Sequence, residues 1–151
     1  MQKNWLTLIG FIVLVLGGGT AIGFATLPGA WYASLVKPVF NPPNWIFGPV
    51  WTILYIMIAV AGWRLWESYR SSTAMKIWWV ALLLNFIWSP TFFGMQQLGL
   101  ALVIILALLA SIFAFISQAS KIDRASALLF MPYAAWVSFA TLLNAALMYL
   151  N

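Results

Sequence analysis

Residues 77–120 contain no Asp, Glu, Lys or Arg, and few folds tolerate a run of that length. A helix crosses the hydrocarbon core with about 20 residues, so this stretch holds two crossings separated by a tight turn near residues 94–99. Comparable apolar blocks stand on either side of it. Charged residues make up 6% of the chain, against roughly 25% in soluble domains, and the mean hydropathy is +1.00. The apolar runs are continuous rather than alternating in segments of about 10 residues, which excludes a β-barrel. The expected fold is an all-α integral membrane protein, a single domain over residues 1–151. It is a bundle of five transmembrane helices at about 5–27, 46–66, 77–93, 98–117 and 125–149. Lys3, an apolar run over 6–16 and the small residues near Gly23 and Ala25 also outline a cleaved signal peptide, but the run outlasts a typical h-region.

The net charge of +5 suggests nucleic acid only until the cations are placed. Nucleic-acid binding needs them clustered on one face, whereas here they fall in short loops, so no nucleic-acid partner is expected. Five spans put Lys3, Arg64, Arg70, Lys76, Lys121 and Arg124 on one side and Lys37 alone on the other. By the positive-inside rule the N-terminus is cytoplasmic, most simply in a bacterial inner membrane. The chain has no cysteine and no histidine, which removes disulfides, thiolate nucleophiles, zinc sites and histidine-ligated haem. The two carboxylates, Glu67 and Asp123, are expected in solvated loops at 64–76 and 121–124. With no ionisable group at membrane depth, a proton-coupled pump is disfavoured.

The segment between the first two spans, residues 28–45, is rich in proline and aromatic residues. Lys37-Pro38 and Asn41-Pro42-Pro43 cannot continue a helix, and the aromatic content argues against disorder. It is expected to be a long ordered loop, a lid over a cavity, with Trp31, Tyr32, Phe40 and Trp45 on it. Lys37 at its mouth either meets a ligand carboxylate or serves only to set orientation. Pro49 falls in the first turn of the second span, where proline is tolerated.

Three spans offer aromatic or amide groups at helical spacing. Trp51 and Tyr55 share a face of the second, with Phe47 a turn earlier. Asn85, Trp88 and Phe92 fall at i, i+3 and i+7 of the third, beside Pro90. Trp136, Ala140 and Asn144 line a stripe of the fifth, with Tyr133 adjacent and Pro132 interrupting the helix. Each asparagine either bonds between helices or touches a ligand, and one residue can do both. Ala140 leaves room for a planar molecule. Trp5, Trp63, Trp66, Trp78 and Trp79 sit near span ends and are expected to form an interfacial belt. The glycines at 17–19 and 23 are expected to let a neighbouring helix approach closely. The reading is an aromatic, nearly charge-free pocket for large flat hydrophobic ligands.

Four motifs, WYxxLxKPxFxPPxWxF at 31–47, WTxLY at 51–55, LNxxWSPxFFG at 84–94 and PYxAWVxFAxxLN at 132–144, resemble the translocator protein family. Its bacterial members are tryptophan-rich sensory proteins and its animal members peripheral benzodiazepine receptors. The resemblance implies a five-helix bundle, often a homodimer, that binds porphyrins, benzodiazepine-type drugs or, in animals, cholesterol beneath the first loop. It places Trp31, Tyr32, Trp51, Asn85, Trp136 and Ala140 in the pocket. Many bacterial members carry tryptophan at the position of Phe40. The animal cholesterol motif is incomplete, because Tyr149 is followed only by Leu150 and Asn151. Some members are assigned to the outer membrane.

Three functions follow as expectations. The first is a membrane-embedded binding protein or sensor for protoporphyrin-type tetrapyrroles, with porphyrin as ligand, membrane lipid around it and no covalent cofactor. The second is light- and oxygen-dependent porphyrin degradation through Trp51 and Trp136, since no ordinary buried general base is present. The third is transport of tetrapyrroles or lipids, which the absence of inverted repeats disfavours.

Overall fold

The computed structural model describes residues 3–151. Every regular element among them is helical. Five helices are long and apolar enough to cross a membrane: α1 (Trp5–Ala25), α3 (Asn44–Tyr69), α4 (Thr73–Gly94), α5 (Leu98–Ala119) and α6 (Arg124–Leu150). A short helix, α2 (Ala30–Ser34), lies in the lid. The α4–α5 and α5–α6 interfaces are the most extensive, and α1 packs mainly on α3.

The helix ends have local causes. The Asn4 side chain caps α1, its Oδ1 accepting from the amides of Leu6 at 3.0 Å and Thr7 at 3.4 Å. The loop expected at 64–76 is much shorter: α3 continues to Tyr69 and α4 begins at Thr73, so Glu67 lies on a helix. Ser72 starts α4 sharply, its Oγ accepting from the Met75 amide at 3.1 Å. A long helix carries its last turns beyond the hydrocarbon, where long charged side chains reach water along its flank. Pro90 removes an N–H and crowds the preceding turn. The helix widens there into a π turn over Pro90–Gly94, with the Met95 amide bonding the Pro90 carbonyl at 2.8 Å. Gln96 then adopts φ 57° and closes the turn into α5. In α6 the break comes at Phe130, just ahead of Pro132.

Glycines set the closest approaches. After a π turn over Val13–Gly17, Gly18 backs onto Phe86 and Gly19 onto Tyr55. Gly62 lies flat beneath Trp78, and a Cβ there would stand 2.4 Å from the indole and 2.9 Å from Phe11. Trp78 is therefore a core residue, not part of an interfacial belt: it is fully buried and its Nε1 donates to the Ile58 carbonyl at 3.0 Å. Trp63 is buried too, stacked under exposed Trp5 at 5.8 Å, with its Nε1 donating to the Asn4 carbonyl at 3.2 Å. Trp5 fits the belt expectation, being 64% exposed.

At this basic end Arg64 of α3 forms a bidentate pair with Asp123, Nε to Oδ2 at 2.9 Å and Nη2 to Oδ1 at 2.8 Å. Ser126 donates to the same carboxylate, so the start of α6 is bonded to α3. The Arg64 guanidinium holds the Asp123 carboxyl below the usual carboxylate range; partial burial opposes the shift and Ser126 adds to it. A depressed carboxyl stabilises the fold above its unfolded value of about 4 and loses that contribution as pH falls.

Two outcomes are expected in detergent micelles. Gly62→Ala forces Trp78 to shift and lowers stability by about 1–3 kcal/mol, read as a lower melting temperature. The wild-type melting temperature drops as pH falls below about 4, and Asp123→Asn, lower at neutral pH, flattens that drop.

Candidate functional site

The lid is held near its middle, at Val36 and Lys37. The Lys37 ammonium donates to the carbonyls of Tyr32 at 2.8 Å, Leu35 at 3.1 Å and Ala33 at 3.4 Å, capping α2. It also lies 4.7 Å over the Tyr32 ring. The cation is spent on the lid's own backbone. One residue earlier, the Asn151 amide clamps Val36: its Oδ1 accepts from the Val36 N–H at 2.9 Å and its Nδ2 donates to the Val36 carbonyl at 3.0 Å. The same Nδ2 reaches the Leu147 carbonyl at 2.9 Å, so the lid is tied to the end of α6.

Beneath the lid, three aromatic groups pack in sequence. Trp31 and Tyr32 meet Phe92, at 6.1 and 6.3 Å between ring centres, and Phe92 stacks on Trp88 at 5.0 Å. Trp51 lies 5.3 Å from Tyr55 and 6.4 Å from Tyr133. Phe47 meets Trp136 edge-on at 5.8 Å, Trp136 lies 5.7 Å from Phe139, and Phe40 meets Phe139 at 6.3 Å. Ala140 is half-buried against the core. Trp45 stands apart, 74% exposed. Aromatic side chains thus fill the lid end, whereas two surface cavities of about 220 and 450 Å³ lie at the basic end, the first around Lys3, Trp63 and Glu67.

Both deep asparagines bond between helices. Asn85 Nδ2 donates to the Tyr133 hydroxyl at 2.7 Å. Asn144 Oδ1 accepts from Trp88 Nε1 at 3.2 Å, and its Nδ2 donates to the Leu98 carbonyl at 3.0 Å. These bonds fix the faces of α4 and α6 that carry Trp88 and Trp136.

Some residues escaped the sequence reading. Phe139 joins the lid to Trp136, and its i+3 spacing from Trp136 was a usable signal. Thr26 and Ser89 share a 2.7 Å hydroxyl bond between α1 and α4. No local pattern marks Asn151, because its partner lies 115 positions away.

Residues 11–150 match the TspO/MBR family. The chain belongs to that family. The "Tryptophan-rich protein TspO" of Archaeoglobus fulgidus is 40% identical, the match covering 98% of this chain and 99% of that protein. The "Tryptophan-rich sensory protein" of Cereibacter sphaeroides is 32% identical over 100% of this chain and 95% of its own length. The "Translocator protein" of Bos taurus is 34% identical over 95% and 89%. Membership accords with the five-helix architecture.

Asn144→Leu is expected to leave the Trp88 N–H unpaired, at a cost of about 1–3 kcal/mol. In a thermal-unfolding double-mutant cycle, Trp88→Phe should cost measurably less in the Asn144→Leu background than in wild type; strict additivity would mean that the indole–amide bond contributes nothing.

Proposed function

We propose that this membrane protein binds porphyrins of the protoporphyrin type and other flat hydrophobic ligands between the lid and helices α3, α4 and α6, acting as a sensor rather than as a catalyst. The observation that carries this reading is the lid-end wall itself. It is built from rings, its amides are committed to interhelical bonds, and the buried indole N–H of Trp136 has no partner among the described residues. Such a surface gains affinity from burial and ring stacking and has one donor left to orient what it holds. Ligand entry requires the rings to part, and lid residues Phe40 and Trp45, both exposed, are the least constrained of them. The printed name of the Cereibacter sphaeroides relative, a sensory protein, agrees with the sensor reading. In this proposal the basic end faces the cytoplasm, and two copies associate in the membrane.

The test is a dark titration of detergent-purified protein with protoporphyrin, followed by quenching of tryptophan fluorescence. Saturable quenching is expected, weakened about tenfold in Trp136→Phe by loss of the N–H and part of the stacking surface. Non-saturable quenching, equal in both proteins, would mean partition into the micelle and would end the proposal. Illumination of the complex separates sensor from enzyme: the sensor gives no new absorbing product, whereas a product lost in Trp51→Phe and Trp136→Phe would establish photo-oxidation.

A further inference from the structure

The groove of about 450 Å³ at the basic end is lined by Trp66, Glu67 and Arg70, with Ser68, Ser71 and Ser72 adding hydroxyls. Glu67 and Arg70 stand three positions apart where α3 ends, a spacing at which an acid and a base ordinarily meet. They do not pair: among the described residues the one salt bridge joins Arg64 to Asp123. Arg70 lies instead over the face of Trp66, its guanidinium carbon 4.5 Å from the ring centre. The Glu67 carboxylate takes the Asn4 amide at 3.3 Å, and Lys3 in the adjoining cavity sits over Trp63 at 5.7 Å. Two opposite charges thus border one groove without neutralising each other.

A molecule that answers both charges carries an anion and a cation a few bonds apart. Phosphoglycerol meets Arg70 but offers Glu67 no countercharge. Phosphocholine has the positive charge, yet its quaternary nitrogen has no N–H to give a carboxylate. A phosphate joined to a primary ammonium supplies both charges and the donors for charge-assisted bonds. The surroundings point to a lipid as its bearer. Trp66 meets Trp79 edge-on at 6.3 Å, and Trp79 opens a stripe down α4 with Val80, Leu83 and Ile87, all exposed. Lys76 stands exposed at the head of that stripe. An apolar track therefore leads from the charged groove toward the bilayer interior.

We propose that this groove binds the headgroup of a phosphoethanolamine lipid, its phosphate on Arg70 and its ammonium on Glu67, with the acyl chains lying along the α4 stripe. The site is at the opposite end of the bundle from the lid and is independent of the flat-ligand reading.

The test is lipid competition in micelles doped with equal amounts of two phospholipids of identical chains, the protein being re-isolated and its retained lipid quantified. Wild type should retain phosphatidylethanolamine about fivefold over phosphatidylcholine, the worth of one exposed ion pair. The N,N-dimethyl headgroup, which keeps the charge and one donor, should fall between them. Glu67→Gln, which keeps an acceptor for the Asn4 amide, should bring the two lipids within about twofold, while Arg70→Gln should lower retention of both. If a variant fails to fold, the methylation series on wild type decides alone. Soluble phosphoethanolamine at the lipid's concentration should displace nothing; displacement would make the free headgroup the ligand and overturn the lipid assignment. Equal retention of the two lipids by wild type, or a preference that survives in Glu67→Gln, would overturn the proposal. So would phosphatidylglycerol retained above phosphatidylethanolamine at about 0.15 M salt, where distant charges are screened.

Discussion

The lid end of the bundle depends on the amide of Asn144. From the interior of α6 it accepts from the Trp88 indole of α4 and donates to the Leu98 carbonyl at the start of α5. Hydrocarbon offers no solvent partner for the indole N–H or the amide, so the helix register that brings them together satisfies both. Pro90 makes the arrangement possible. Its π turn ends α4 early, lets Gln96 reverse the chain, and leaves the Leu98 carbonyl where the amide reaches it. Trp88 is then fixed against Phe92, and Phe92 against the lid aromatics.

The opposite end is secured by different means. There the cross-link is ionic, Arg64 to Asp123, and it sits where water and headgroups meet the helix ends. Between the two ends, closeness replaces polarity: Gly62 under Trp78 and Gly19 under Tyr55 bring α3 against its neighbours at a separation that any side chain would prevent. Packing of this kind is what holds transmembrane helices together when the hydrophobic effect no longer distinguishes lipid from protein.

Much of this was legible in the sequence. A charge-free run over residues 77–120 and the placement of seven cations fix the number of spans, because span length and loop charge are set by the bilayer rather than by tertiary contacts. The pairing of Trp51 with Tyr55 and of Trp88 with Phe92 followed from helical spacing. What was not legible depends on partners far away in the chain. Trp78 sits near a span end and looks interfacial, but Gly62 opposite it makes a slot that draws the ring inside. Glu67 looks like a loop residue until Ser72 is seen to delay the turn. Lys37 looks available to a ligand until the bare carbonyls at the end of α2 are counted.

The distribution of satisfied and unsatisfied groups separates structure from recognition. Asn85, Asn144 and the indoles of Trp63, Trp78 and Trp88 are each bonded within the protein, and these bonds hold helices in register. The lid is fastened independently, by Lys37 at one point and Asn151 at another. Lys37 lies over the Tyr32 ring, and neither fastening involves Phe40, Phe139, Phe47 or Trp136. Phe40, Phe139, Phe47 and Trp136 can therefore rearrange around an incoming planar molecule without breaking a polar cross-link, since edge-to-face and offset contacts between rings differ by only about 1 kcal/mol. A wall of rings in a frame of bonded amides combines a rigid bundle with an adaptable surface, and the unmet indole donor of Trp136 lies on that surface rather than in the frame.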